Sequence, residues 1–70
     1  MKSDSRERIL AVERLLTDKP QTCGKIIHRL AREYGIKCSR KAVYQDIAAL
    51  SRYMSIEHDP RSGFFLKKNS

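Results

Sequence analysis

Residues 39–54, SRKAVYQDIAALSRYM, decide how this chain is read. Val43, Ile47, Leu50 and Met54 recur at i, i+4, i+7 and i+11, an apolar stripe of helical period. The side turned away from the stripe carries Lys41, Tyr44, Gln45 and Arg52, with Arg40 on its flank. Ser39 stands where an N-cap belongs. A helix that buries one side and offers Lys, Arg, Gln and Tyr on the other suits a DNA major groove.

Two further amphipathic stretches precede this one. Residues 5–17 are predicted to form a first helix, with Asp4 and Glu7 at capping-box spacing and Ile9, Val12, Leu15 and Leu16 on its buried side. Asp18, Lys19 and Pro20 end it, because proline cannot continue a helix and biases the preceding residue to extended backbone. A second helix is predicted over residues 22–34. Thr22 caps it, Ile26, Ile27, Leu30, Ala31 and Tyr34 make its apolar side, and Gly35 suits the left-handed position beyond its end. Gly24 weakens its first turn slightly. Ile36, apolar within a polar turn, is placed to plug the space before the third helix, which is predicted over residues 40–53.

Downstream, Ile56-Glu57-His58-Asp59 and Phe64-Phe65-Leu66 flank Pro60-Arg61-Ser62-Gly63, the pattern of a hairpin over residues 56–66. Ile56 and one or both Phe residues should pack back on the helices, and residues 67–70 read as a polar, frayed end. A two-stranded hairpin is not stable alone. The order helix, helix, helix, strand, strand therefore predicts a mainly α fold with a small β-hairpin: a winged helix-turn-helix. The second and third helices form the helix-turn-helix, the hairpin forms the wing, and residues 1–70 make one domain.

Seventy residues bury only a modest core, yet 40% hydrophobic content suits a globular domain rather than a disordered tail. No apolar run is long enough to span a membrane, and the polar start MKSDSR is no signal peptide. A cytoplasmic, nucleoid-associated protein is expected. Fifteen Lys and Arg stand against eight Asp and Glu, a formal charge of +7, and such a domain is expected to bind a polyanion. Lys37, Arg40 and Lys41 gather ahead of Asp46, Lys25, Arg29 and Arg32 lie on the second helix, Arg61 sits in the turn, and Lys67 and Lys68 follow. Cys23 and Cys38 read as small, semi-buried reduced thiols. With His28 and His58 they lack the CxxC or HxxxH spacing of a compact zinc module, so no metal or cofactor is expected. No carboxylate pair or G-x-S-x-G motif points to catalysis, and His28 and His58 read as surface or packing residues. The chain is not expected to be an enzyme.

The segment YGIKCSRKAVYQDIAAL, residues 34–50, resembles the N-terminal winged helix of bacterial WYL-domain transcription regulators and is similar to DeoR-type domains. Those carry a pattern close to S-x-R/K-[TS]-[IV]-Y-x-D-[IL]-x-x-L, matched here at Ser39, Lys41, Val43, Tyr44, Asp46, Ile47 and Leu50. The wing resembles the family's I-x-x-D…G-Y-x-L ending, with Phe64 where Tyr is frequent. Ala42 replaces a Thr or Ser able to bond a phosphate, and Gln45 replaces a frequent Arg. Family members usually continue into a larger effector-binding and oligomerising region. The resemblance therefore implies either an excised domain or a stand-alone regulator.

These readings converge on sequence-specific binding of double-stranded DNA, with the third helix in the major groove. Lys41 is placed to contact guanine or a phosphate, and Gln45 a base edge such as adenine's. Arg40 suits a phosphate clamp or an intramolecular ion pair. Tyr44 suits a phosphate or sugar contact, or packing against the second helix. Ser39, Thr22 and Lys25 lie at helix starts, where anions are favoured. Arg61 either enters a minor groove or is an exposed turn residue. Asp46, beside the stripe, is expected to pair with a nearby Arg or Lys and orient it. A small single domain implies two copies on two half-sites, as a homodimer or through a further C-terminal region. The rival readings are a winged helix that binds protein, which calls for an apolar third helix, and one that binds RNA.

Overall fold

A computed structural model describes residues 5–67. Among them the chain forms three helices and a hairpin, in the order α1 (Ser5–Leu15), α2 (Cys23–Tyr34), α3 (Arg40–Leu50), β1 (Ile56–Asp59) and β2 (Gly63–Leu66). The fold is mainly α with a two-stranded antiparallel wing, the winged-helix arrangement read from the sequence. Asp4, the cap proposed for the first helix, and Lys68 lie outside the described residues. No described helix is long and apolar enough to cross a membrane.

The helix starts follow the capping logic. Thr22 Oγ1 accepts the Lys25 N–H at 3.2 Å, and Ser39 Oγ accepts the Ala42 N–H at 3.2 Å. At the end of α2, Gly35 takes φ +67°, and the Ile36 N–H returns to the Leu30 carbonyl at 3.0 Å. That turn swings Ile36 into the core, where it is buried. Val12, Ile26, Leu30 and Val43 are fully enclosed, each burial worth about 1.5–3 kcal/mol.

Two helices end sooner than their periodicity implied. α1 stops at Leu15 rather than residue 17. The Thr17 carbonyl accepts the Leu66 N–H at 2.7 Å, and the Leu15 carbonyl accepts Gln21 Nε2 at 2.5 Å. Both carbonyls lie at the helix end, where no intrahelical donor follows, and the docked strand and the Gln21 side chain satisfy them instead. α3 stops at Leu50 rather than residue 53. Beyond it the Arg52 N–H goes to Ala49 O and the Tyr53 N–H to Leu50 O, so the final turn tightens toward β1. Met54 leaves the helix yet still packs on the core, while Tyr53 is exposed. On α2, Ala31 and Tyr34 are exposed, contrary to their expected place on the apolar side. Ala31 falls at the edge of that stripe, and Tyr34 sits past the end of the core.

The hairpin pairs Ile56 with Leu66, Glu57 with Phe65, His58 with Phe64 and Asp59 with Gly63. Phe64 is the Phe that packs into the helices, with Ile56 and Leu66 against the same core. Pairing continues past β2, because the Lys67 N–H donates to Ser55 O at 2.8 Å. Lys67 therefore belongs to the hairpin and not to a frayed end. A third backbone segment also joins the wing. The Gln21 N–H donates to Phe64 O at 2.9 Å, and the Phe64 N–H to Gln21 O at 2.7 Å. Gly63 allows that approach: its φ is +106°, and a Cβ there would lie 2.0 Å from the Gln21 carbonyl oxygen.

Candidate nucleic-acid interface

α3 sorts its residues by side. Val43, Asp46, Ile47 and Leu50 are buried, while Arg40, Lys41, Tyr44, Gln45, Ala48 and Ala49 are exposed. Asp46 is the one acid of this helix, and it is 2% exposed. Arg8 of α1 reaches it with two hydrogen bonds, Nε to Oδ2 at 2.5 Å and Nη2 to Oδ1 at 3.1 Å. Asp46 does pair with an arginine, but one on the far side of the core. The pair joins α1 to α3 rather than orienting a cation on the outward surface. The hydrogen bond to Asp46 also raises the Arg8 pKa above its ordinary value.

The outward side of α3 is accordingly free of carboxylates. Lys41 and Gln45 stand one turn apart on it. Gln45, Ala48, Ala49 and Arg52 line a shallow depression, where two alanines leave room for a close approach. Among the described residues, Lys25, Arg40, Lys41, Arg52 and Arg61 take part in no ion pair. Arg52 was placed on this side by the stripe and stays beside it, in the turn after the helix.

Thr22, Arg40 and Tyr44 come together elsewhere. They line an open cleft of about 260 Å³ between the start of α2, the N-terminal half of α3 and the wing. His58 and Phe64 form its opposite wall. The Tyr44 ring meets Phe64 edge-on at 5.8 Å, so Tyr44 packs on the wing. It remains 48% exposed. His58 stacks on Phe64 at 4.5 Å, as cross-strand neighbours can. His58 is thus a packing residue, one of the two roles read for it from the sequence, and its partner becomes visible only once the register is known.

The remaining expected residues are spread around these two surfaces. Ser39 and Thr22 serve as caps, and both are exposed at helix starts. Lys25 lies in the first turn of α2 with its side chain exposed. Arg61 sits at the wing tip, where only its backbone is held: its N–H donates to Asp59 Oδ1 at 2.8 Å. Lys41, Gln45, Lys25 and Arg61 do not line the cleft.

Some of the basic charge on α2 serves the fold. Arg29 Nε donates to Glu33 Oε2 at 2.6 Å, and Nη1 donates to Gln21 Oε1 at 2.8 Å. The hydrogen bond between Arg29 and Glu33 raises the Arg29 pKa and holds Glu33 below the usual carboxylate range. Burial pushes the Cys38 thiol up, away from the reactive thiolate. Among the described residues, no group of three or more His, Cys, Asp and Glu side chains is gathered to hold a metal ion. No family model matches this chain, and no similar curated protein or solved structure was found.

Proposed function

We propose that this domain binds double-stranded DNA through α3, as the DNA-reading unit of a transcription regulator. One observation carries the reading: α3 turns its single acid inward and leaves Lys41, Gln45 and the nearby Arg52 exposed and outside any ion pair among the described residues. Lys41 and Gln45 supply base-edge contacts in the major groove. The starts of α2 and α3, with Thr22, Lys25, Ser39 and Arg40, supply phosphate contacts alongside. The cleft between α2 and the wing gives a strand of the backbone a place against Tyr44 and Arg40, and Arg61 extends the basic surface at the wing tip. The likeness of residues 34–50 to the winged helices of WYL-domain and DeoR-type regulators supports the same assignment. A basic rather than apolar outer side on α3 argues against a protein-binding role for that helix.

Selection from a random duplex pool at two salt concentrations, beside an RNA pool, tests this reading. The expected result is an enriched duplex motif whose affinity falls steeply with salt. In the enriched sequence, Lys41→Ala with Gln45→Ala should lose about 1–3 kcal/mol per base contact removed, with the helical circular dichroism signal intact. Preferential enrichment of RNA, or unchanged affinity in the double variant, refutes it.

A further inference from the structure

The outward side of α1 carries a second surface, away from α3's exposed side. Arg8 reaches Asp46 on the inward side of α3, so α1 lies behind that helix. Glu7, Leu10 and Arg14, at i, i+3 and i+7, share one stripe of α1. With Ala11 and Tyr34 they line an open groove of about 190 Å³ between α1 and the end of α2. Leu10 is 56% exposed and Tyr34 39% exposed. A half-open Leu beside a Tyr, rimmed by one acid and one base, has the anatomy of a contact surface.

We propose that this groove is where two copies of the chain associate, α1 against α1, antiparallel about a two-fold axis at Leu10. The charge pattern selects both the occupant and its direction. With Leu10 on the axis, Glu7 faces Arg14 of the second copy, and Arg14 faces its Glu7. A two-fold contact repeats every pair, so two opposite-sign pairs close over one apolar centre. Parallel pairing would instead set Glu7 against Glu7 and Arg14 against Arg14. Leu10 and Tyr34 supply the apolar area that drives the contact. The surface leaves α3 exposed in both copies, and the inference stands independently of DNA binding.

Sedimentation equilibrium of the full chain without nucleic acid tests it. The native chain should rise from 8.1 kDa at low concentration toward twice that mass in the millimolar range. Glu7→Arg alone, or Arg14→Glu alone, sets like charges face to face and should weaken association about ten-fold or more. An equimolar mixture of those two variants should associate again, because every facing pair is then opposite in sign. The chain carrying both substitutions should self-associate for the same reason. Both positions are exposed, and circular dichroism should show each variant folded as the native chain. A native chain that stays at 8.1 kDa into the millimolar range overturns the proposal. So do single reversals that associate as the native chain does, or a mixture that fails to associate.

Discussion

Arg8→Ala is expected to cost more stability than Asp46→Ala, although each breaks the same ion pair. The difference lies in what is left behind. The Asp46 side chain is 2% exposed and that of Arg8 is 23% exposed. Removing Arg8 strands a carboxylate inside the core beside Val43 and Ile47, a loss of about 3–5 kcal/mol. Removing Asp46 leaves a guanidinium at the edge of the core, on a long stem able to turn to water. That change should cost only about 1–2 kcal/mol. A domain of this length has a total stability of roughly 4–10 kcal/mol. Arg8→Ala should therefore bring the domain close to unfolding at pH 7, while Asp46→Ala stays folded.

Urea unfolding followed by the helical circular dichroism signal measures both losses, with the slope on urea checking two-state behaviour. Replacing both residues by apolar ones of similar size, Arg8→Met with Asp46→Leu, should return stability to within about 1 kcal/mol of native or above it. Equal losses in the two alanine variants would refute the reasoning.

Two substitutions test how the wing and α3 are held. Gly63→Ala puts a Cβ where the Gln21 carbonyl stands, on backbone at φ +106°, and should cost at least about 2 kcal/mol in the same urea assay. Near-native stability would mean that β2 does not depend on its approach to Gln21. Ile47→Ala, at a buried position in the middle of α3, should cost about 2–5 kcal/mol. A loss under about 0.5 kcal/mol would refute its burial.

What could be read from the sequence was what repeats locally. The helical period of Val43, Ile47 and Leu50 marks the inner side of α3, and Thr22, Ser39 and Gly35 mark helix ends by cap chemistry that acts within three or four residues. Ile36 could be placed because it is apolar where its neighbours are polar or turning, whereas which of Phe64 and Phe65 packs inward had to await the register. What escaped notice depends on distant partners. Gln21 is a single residue in a linker, without periodicity, yet it bonds the wing, the end of α1 and Arg29. Gly63 reads as an ordinary turn glycine until Gln21 is seen above it. Arg8 reads as one more surface charge of the first helix, because its partner lies 38 residues away. The candidate site divides the same way: Lys41 and Gln45 follow from helical period, whereas the meeting of Tyr44, Arg40 and His58 requires the docked wing.

The Arg8–Asp46 pair also bears on charge. A net +7 spread evenly would leave α3 little different from the rest of the surface. Asp46 is the only carboxylate on α3, and on the outward side it would repel a phosphate beside Lys41. Turning it inward removes that repulsion, but an unpaired buried carboxylate would cost several kcal/mol. Arg8 meets the need from α1, so the neutralising cation is drawn from a helix behind the surface and none is taken from Arg40, Lys41 or Arg52. Arg29 is likewise matched, by Glu33 on its own helix. The fold thus balances Asp46 with a cation away from α3's outer side and keeps that side free of carboxylates. If the domain binds a polyanion, the ion pair that stabilises the core and the charge that attracts the ligand are parts of one arrangement. Reversing the direction of Asp46 would weaken both.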